Sequence, residues 1–346
     1  MTTITEPIRV AVVGAGGIAD RHGRALSENP RASIAAVVDP DADNRERFAA
    51  AWGGRPTESL AACLDLVDAV YLLTPPSVRP PLALQVLDAG KHLLCEKPLA
   101  STEQEAKAIL DAAEASPVVS MMGLNMRYRT GFERLQRTVA DGTIGRPYHF
   151  WRQRFGEGPG AHGKITDDNW RTDPAFVCGM TVESFSHDAD MLRYVMNDEI
   201  ATVSAVVYGR VPALPKFDNN AHALFTTRGG ASAVITASWS SRIGFNSCGV
   251  LGENGTAFLS GSALGNNGSW CSRQFHLKTD DDEYENIEMI QDDLDDTSYQ
   301  RETDDFIAAV LDGTTPRTRI ADGYETLRVS GAVLEAARTQ SVVTLG

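Results

Sequence analysis

The stretch Val10-Ala11-Val12-Val13-Gly14-Ala15-Gly16-Gly17-Ile18-Ala19-Asp20 decides the fold. An apolar run ends in a glycine turn that opens a helix, which is the G-x-G-x-x-G/A arrangement that seats a pyrophosphate on a helix N-terminus. Gly14 permits the tight turn, Gly16 lets the backbone approach a phosphate, and Ala19 allows close helix–strand packing. Gly17 and Ile18 belong to the same turn and are counted with the cofactor site. Asp39 ends the next apolar run, 20 residues beyond Ala19, where a carboxylate can take the hydroxyls of an adenosine ribose. The same carboxylate repels a 2′-phosphate, and no Arg or Lys follows it until Arg45. NAD is therefore expected rather than NADP. The acids of Asp39-Pro40-Asp41-Ala42-Asp43 are not a calcium loop, because Asn44 and Ala50 stand where that loop needs Gly and Glu.

Outward from this turn, strand and helix patterns alternate at short intervals. Ile8–Val13, Ser33–Val38, Ala69–Leu73, His92–Cys95 and Val118–Gly123 read as strands. Ile18–Glu28, Ala42–Trp52, Pro81–Ala89 and Thr102–Ala115 read as helices between them. The strands are apolar throughout rather than alternating, as strands buried on both faces are. Residues 1–125 are thus expected to form an α/β domain with a doubly wound parallel sheet. Past about residue 145, strand patterns follow one another across turns such as Arg228-Gly229-Gly230 and Asn254-Gly255. Residues 126–346 are expected to form an α+β domain with a large, open, mainly antiparallel sheet. One early helix, about Val182–Met196, and two late ones, Tyr299–Leu311 and Ala321–Arg338, complete it, the C-terminal helix packing back on the first domain. Asp280–Asp296 holds ten acids and no base and reads as a solvated hairpin or edge loop that blunts the sheet.

Composition narrows the function classes. With 32 basic and 46 acidic side chains the net charge is −14, and no basic cluster offers a face to nucleic acid. The longest apolar run, Phe306–Leu311, has six residues against the ~20 that cross a bilayer. Five cysteines without C-x-x-C spacing, and no basic and apolar leader in Met1–Pro7, point to the reducing cytoplasm. The histidines show no metal-ligand spacing, and no metal is expected.

Two further strand ends carry chemistry: Thr74-Pro75-Pro76 and Glu96-Lys97-Pro98. Both lie where open parallel sheets bind ligands, which makes Thr74, Pro75, Glu96 and Lys97 candidates for the cofactor site, although Lys97 taken alone reads better as an edge lysine beside a turn proline. Together with Ala89–Leu99, Gly123-Leu124-Asn125-Met126-Arg127, Gly142–Pro147, Asn169-Trp170-Arg171 and His187-x-x-Asp190, these segments resemble the Gfo/Idh/MocA family, the relatives of glucose–fructose oxidoreductase and inositol dehydrogenase. The resemblance spans nearly the whole chain. It implies hydride transfer between a nicotinamide and a carbon of a sugar, inositol or related polyol. It also implies a homo-oligomer, a dimer or tetramer.

In that family a Lys of Glu-Lys-Pro acts with an Asp and a His spaced four apart. Lys97 and His187 match, and Glu183 stands at the Asp position. On one helix, Glu183 and His187 would share a face. Cys178-Gly179-Met180 replaces the family's glycine-rich turn, and Arg79 stands where many members carry a His. A base for the hydroxyl proton suits His187, and Lys97 can stabilise alkoxide charge. Trp170, Arg171, Arg127 and Asn125 are candidates for the cleft, Asn125 toward the cofactor and the others toward substrate. Interdomain packing or salt bridges are equally open to them. Ser184, His187 and Asp190 resemble a hydrolase triad in residue types only. Two rival readings stand beside the dehydrogenase: a glycosidase that uses NAD transiently, and a non-catalytic, cofactor-bound regulator.

Overall fold

The computed structural model describes residues 6–158, 178–210, 217–262, 274–290 and 297–346. The chain forms two compact units, one of Met1–Asn125 with Thr297–Glu325, the other of Met126–Asp296 with Thr326–Gly346.

In the first unit the order is β1 (Ile8–Val13), α1 (Ala19–Glu28), β2 (Ala32–Val38), α2 (Ala42–Trp52), β3 (Arg55–Thr57), β4 (Ala69–Leu72), α3 (Arg79–Asp88), β5 (His92–Glu96), α4 (Glu103–Ala115) and β6 (Ser120–Gly123). The six strands are parallel and run β3-β2-β1-β4-β5-β6, as expected of the doubly wound sheet. Strand order reverses between β1 and β4, the switch point at which such sheets take ligands. Val10, Val12, Val70, Tyr71, Leu93 and Leu94 are sealed from solvent, which is why these strands read as unbroken apolar runs. Polar residues set the helix starts. Asp41 accepts from the N–H groups of Asp43 and Asn44 at the head of α2. Thr102 and Glu105 form a reciprocal capping box on α4.

The first unit is completed from far along the chain. Helix α8 (Ser298–Asp312) lies against α1, where Asn29 Nδ2 donates to Asp304 Oδ1 at 2.8 Å. The Thr318 hydroxyl donates to the Met122 carbonyl at 2.7 Å. The first unit thus draws on residues 297–325 as well as on the chain up to Asn125.

The second unit contains α5 (Thr130–Ala140), β7 (Pro147–Glu157), α6 (Gly179–Glu183), α7 (Phe185–Met196), β8 (Ile200–Tyr208), β9 (Asn220–Thr227), β10 (Ser232–Ser238), β11 (Ser240–Gly252), β12 (Gly255–Ser262), β13 (Gln274–Thr279), β14 (Asn286–Met289) and β15 (Val343–Thr344). Helix α9 (Ile320–Thr339) is divided between the units at Glu325. The nine strands run β14-β13-β12-β11-β7-β10-β9-β8-β15. All neighbours are antiparallel except β7 and β10, which pair in parallel. The sheet is mainly antiparallel, as expected, and its single parallel pair arises because β8-β9-β10 folds as a meander whose last strand returns beside β7. The described part of the acidic run closes a β13–β14 hairpin, and β14 is a fully exposed sheet edge.

One face of this sheet is the core. Phe132 and Leu135 of α5, with Phe185, Ala189 and Leu192 of α7, pack against Phe150, Phe225, Ile235 and Val250. The other face carries Trp151, Val206, Leu224, Thr236 and Phe258, among other uncharged side chains.

The core face also holds charge. Arg152 and Arg154 alternate with Phe150 along β7 and point inward with it, both essentially unexposed. Asp188 of α7 answers them: Arg152 Nε donates to Oδ1 at 2.6 Å and Arg154 Nη2 to Oδ2 at 2.6 Å. Asn246 Oδ1 takes Arg152 Nη1 at 2.8 Å, and the Ser184 hydroxyl oxygen takes Arg154 Nη2 at 2.9 Å. Burial pushes the Asp188 carboxyl up, but Arg154 and Arg152 outweigh it and hold it below its ordinary value. The nearby Cys248 thiol is pushed by burial up to about 12 and stays protonated. Asp188→Asn leaves two buried guanidiniums without their counter-charge. The expected loss is about 3–5 kcal/mol, read as a lower urea midpoint; an unchanged midpoint contradicts this role.

Candidate active site

The glycine turn is built for close approach. Gly14 has φ +95°, and its N–H donates to the Val38 carbonyl at 2.7 Å. A side chain there would strike the Leu73 backbone at 2.9 Å, so the turn is pressed against the end of β4 and only glycine fits. Gly16 and Gly17 differ: a Cβ on either would enter open space. Asp39 locks the turn from the end of β2. Its Oδ2 accepts the Ala15 N–H at 2.7 Å and its Oδ1 the Asp41 N–H at 2.9 Å. Each oxygen keeps a further lone pair for a ligand donor. Arg47 braces the outside, donating to the Ala15 carbonyl and to Asp20. Ile18 is the N-cap residue of α1 rather than its first helical residue, and no side chain caps that helix end.

At the next strand ends the decisive group is Arg79, at the start of α3. Its buried guanidinium donates to the carbonyls of Thr74, Glu96 and Pro98 and so ties the Thr-Pro-Pro turn to the Glu-Lys-Pro turn. Where the resemblance led to a histidine, this chain has a backbone clamp. Glu96 is buried, with Oε1 3.1 Å from His22 Nε2 and Oε2 accepting the Lys97 N–H at 2.8 Å. Burial pushes the Glu96 carboxyl up, yet His22, Lys97 and Arg79 together hold it below the ordinary carboxylate value. Lys97 is half-buried, and its bond to Pro98 is cis. Asn125 lies just past β6, its Nδ2 donating to the Ser298 hydroxyl at 3.1 Å.

In the second unit the segment carrying Glu183 and His187 starts from a strained glycine. Gly179 has φ +77°, and a Cβ there would overlap Asp218 Oδ1. Asp218 caps the segment, its Oδ2 accepting the Thr181 N–H at 2.8 Å and the Thr181 hydroxyl at 2.6 Å. Ser184, at φ −131° and ψ −42°, then breaks the helix. Glu183 ends α6 and His187 belongs to α7, so the shared face of one continuous helix does not exist. Both residues are buried. Helix α7 is fixed by its acids: Asp188 holds Arg152 and Arg154, and Asp190 holds Arg127. The Arg127 fork donates from Nε at 2.9 Å and Nη2 at 2.6 Å, and the guanidinium lies 5.2 Å from the Tyr194 ring centre. That is the salt-bridge role left open in the sequence. Trp170 and Arg171 lie outside the described residues.

A model of the oxidoreductase family with an NAD-binding Rossmann fold matches residues 8–124, and one of the GFO/IDH/MocA C-terminal domain matches 132–258. The chain belongs to the Gfo/Idh/MocA family. Inositol 2-dehydrogenase of Rubrobacter xylanophilus is 29% identical over 99% of this chain and 95% of its own length. Glucose-6-phosphate 3-dehydrogenase of Bacillus subtilis is 34% identical, over 40% of this chain and 39% of its own length. The WlbA dehydrogenase of Bordetella pertussis, solved with NADH and UDP-GlcNAcA, superimposes with a TM-score of 0.85 at 23% identity, over 99% of this chain and 98% of its own, and so shares the fold.

As a Gfo/Idh/MocA member the chain is an NAD-binding oxidoreductase, and its first unit fits the dinucleotide. The open space over Gly16 and Gly17 admits a pyrophosphate, the uncapped start of α1 faces it with backbone N–H groups, and Asp39 retains acceptor capacity for ribose hydroxyls. Among the described residues no helix is long and apolar enough to cross a membrane. Sequence reading missed Asp218 and the partners of Asp188, because each joins residues more than thirty apart in the chain, and those of Arg79, because a side chain that bonds backbone carbonyls has no sequence signal. The two glycines separate fold from binding. Gly16→Val is expected to hold stability within about 0.5 kcal/mol while NAD affinity, measured by calorimetry, falls at least tenfold. Gly14→Ala is expected to cost roughly 1–3 kcal/mol of stability as well. Equal NAD binding by Gly16→Val contradicts the assignment.

Proposed function

We propose that this protein is an NAD-dependent dehydrogenase that oxidises a secondary alcohol carbon of a sugar, inositol or related polyol. The observation that carries the reading is the clamped Glu-Lys-Pro turn at the carboxyl end of β5, which fixes the Lys97 backbone between Arg79 and Glu96. The names of the relatives, an inositol 2-dehydrogenase and a glucose-6-phosphate 3-dehydrogenase, support the substrate class.

Alcohol oxidation needs a two-electron acceptor, which bound NAD supplies. The remaining demands fall on the chain. The Lys97 ammonium stabilises negative charge on the substrate oxygen as its proton leaves. His187 takes that proton, a task for which an imidazole is suited. Glu183 orients the imidazole or binds a neighbouring hydroxyl. Arg127, engaged by Asp190, holds α7 in place.

The face of the nine-stranded sheet that carries Trp151, Leu224 and Phe258 supports a homo-oligomer, since a broad face without charge at its centre is inexpensive to desolvate. Leu224→Arg, on that face, is expected to lower the mass seen by light scattering; an unchanged mass removes this surface from consideration.

Activity is tested by the near-ultraviolet absorbance of NADH across a panel of inositols, aldoses and glycosides. At least one inositol or sugar is expected to give NADH. Lys97→Ala and His187→Ala are each expected to lower kcat by about 10²-fold or more while NAD still binds. Cleavage of a glycoside without NADH accumulation would turn the reading into the NAD-using glycosidase.

A further inference from the structure

The first unit buries a second carboxyl beside Glu96. Glu302 of α8 is fully sealed from solvent, and neither of its oxygens has a hydrogen-bond partner among the described residues. Its electrostatic neighbours are Glu96 of β5 and Asp305 of its own helix. Tyr71 of β4 faces both Glu302 and Asp304, with the Thr303 hydroxyl beside it. From α1, His22 bonds Glu96 and sets its ring edge-on to Tyr71 and Tyr299, with centroids 5.6 Å and 5.1 Å away. Arg21 lies over the Tyr299 ring at 5.5 Å, and Lys97 and Arg79 face Glu96.

Two carboxyls in one water-poor enclosure do not both ionise. The environment distributes the charge unequally. Glu96 has His22, the Lys97 N–H and the Arg79 guanidinium to answer an anion. Among the described residues Glu302 has no hydrogen-bond donor, and the charges that act on it are those of Glu96 and Asp305. We propose that Glu302 is a positioning residue for the Glu-Lys-Pro turn: it stays a neutral acid, leaves Glu96 the single anion of the pair, and so preserves the bonds from Glu96 to His22 and to Lys97. The inference rests on the reading that Lys97 serves the cofactor end of the sheet.

Burial, then the charges of Glu96 and Asp305, hold the Glu302 carboxyl well above its ordinary value. The sign follows from linkage. A carboxyl raised in the fold adds stability that is complete below the ordinary carboxylate range and disappears as pH rises through the raised value. When Glu302 does ionise, a second anion repels Glu96 and loosens the turn that carries Lys97. The protein then weakens its hold on NAD as pH rises through that raised value. Glu302→Gln keeps the shape and the neutrality but cannot ionise.

Infrared spectroscopy and NAD calorimetry against pH, on the unaltered protein and on Glu302→Gln, test the proposal. The unaltered protein is expected to show a buried carboxylic acid band at neutral pH that the variant lacks. Its NAD affinity is expected to fall several-fold as rising pH removes that band, while the affinity of the variant stays level. Absence of the band at neutral pH, or superimposable affinity profiles, overturns the proposal. If the variant does not fold, the infrared titration and the NAD profile of the unaltered protein decide: band and affinity lost together sustain it, and a band lost without change in affinity overturns it. Neither readout uses turnover, so a protein that oxidises no sugar or polyol would refute the functional reading alone.

Discussion

The clamp of Arg79 on three carbonyls is the interaction on which the candidate site depends. A parallel sheet delivers its strand ends to one edge, but it does not hold the turns beyond them. Here one guanidinium, too deeply buried to be satisfied by water, must find acceptors in the protein. It finds them in Thr74, Glu96 and Pro98, and so the two turns become one piece. Glu96 then adds a bond to the Lys97 N–H, and His22 holds Glu96. Lys97 projects from a backbone fixed at both sides, which is what a group acting on a developing charge requires, since a preorganised donor does not have to be reoriented during reaction.

The second unit solves the same problem with a different device. Helix α7 is tied down by the two acids on either side of Ala189, Asp188 to the paired arginines of β7 and Asp190 to Arg127. His187 immediately precedes the first of them. Asp218 and Gly179 set where the preceding segment begins, and Ser184 separates it from α7. In both units the candidate catalytic side chain is neighboured by buried ionic groups whose task is to fix backbone.

Much of this was legible in the sequence, and the limit of legibility has a physical cause. Gly14, Gly16 and Asp39 act within one β-α-β unit, so their spacing alone revealed them, as the apolar runs of β1, β4 and β5 revealed the parallel sheet. The boundary of α4 was legible because Thr102 and Glu105 are three residues apart. Arg152 and Arg154 were not, since an alternating Arg-x-Arg on a strand reads as a solvated face until α7 supplies an acid from more than thirty residues away. The parallel pairing of β7 with β10 and the return of α8 to the first unit are likewise long-range. The break at Ser184 escaped notice because no proline or glycine marks it, and Glu302 escaped because a single acid on an amphipathic helix normally faces water.

The proposed function gives Lys97 and His187 parts in the same step of alcohol oxidation. A double-mutant cycle on kcat/KM with Lys97→Ala and His187→Ala tests it most directly. Groups that serve one oxygen in one step act as a unit, so the double variant is expected to be little worse than the poorer single variant. Losses that multiply in full would mean that the two side chains work independently and would contradict the account.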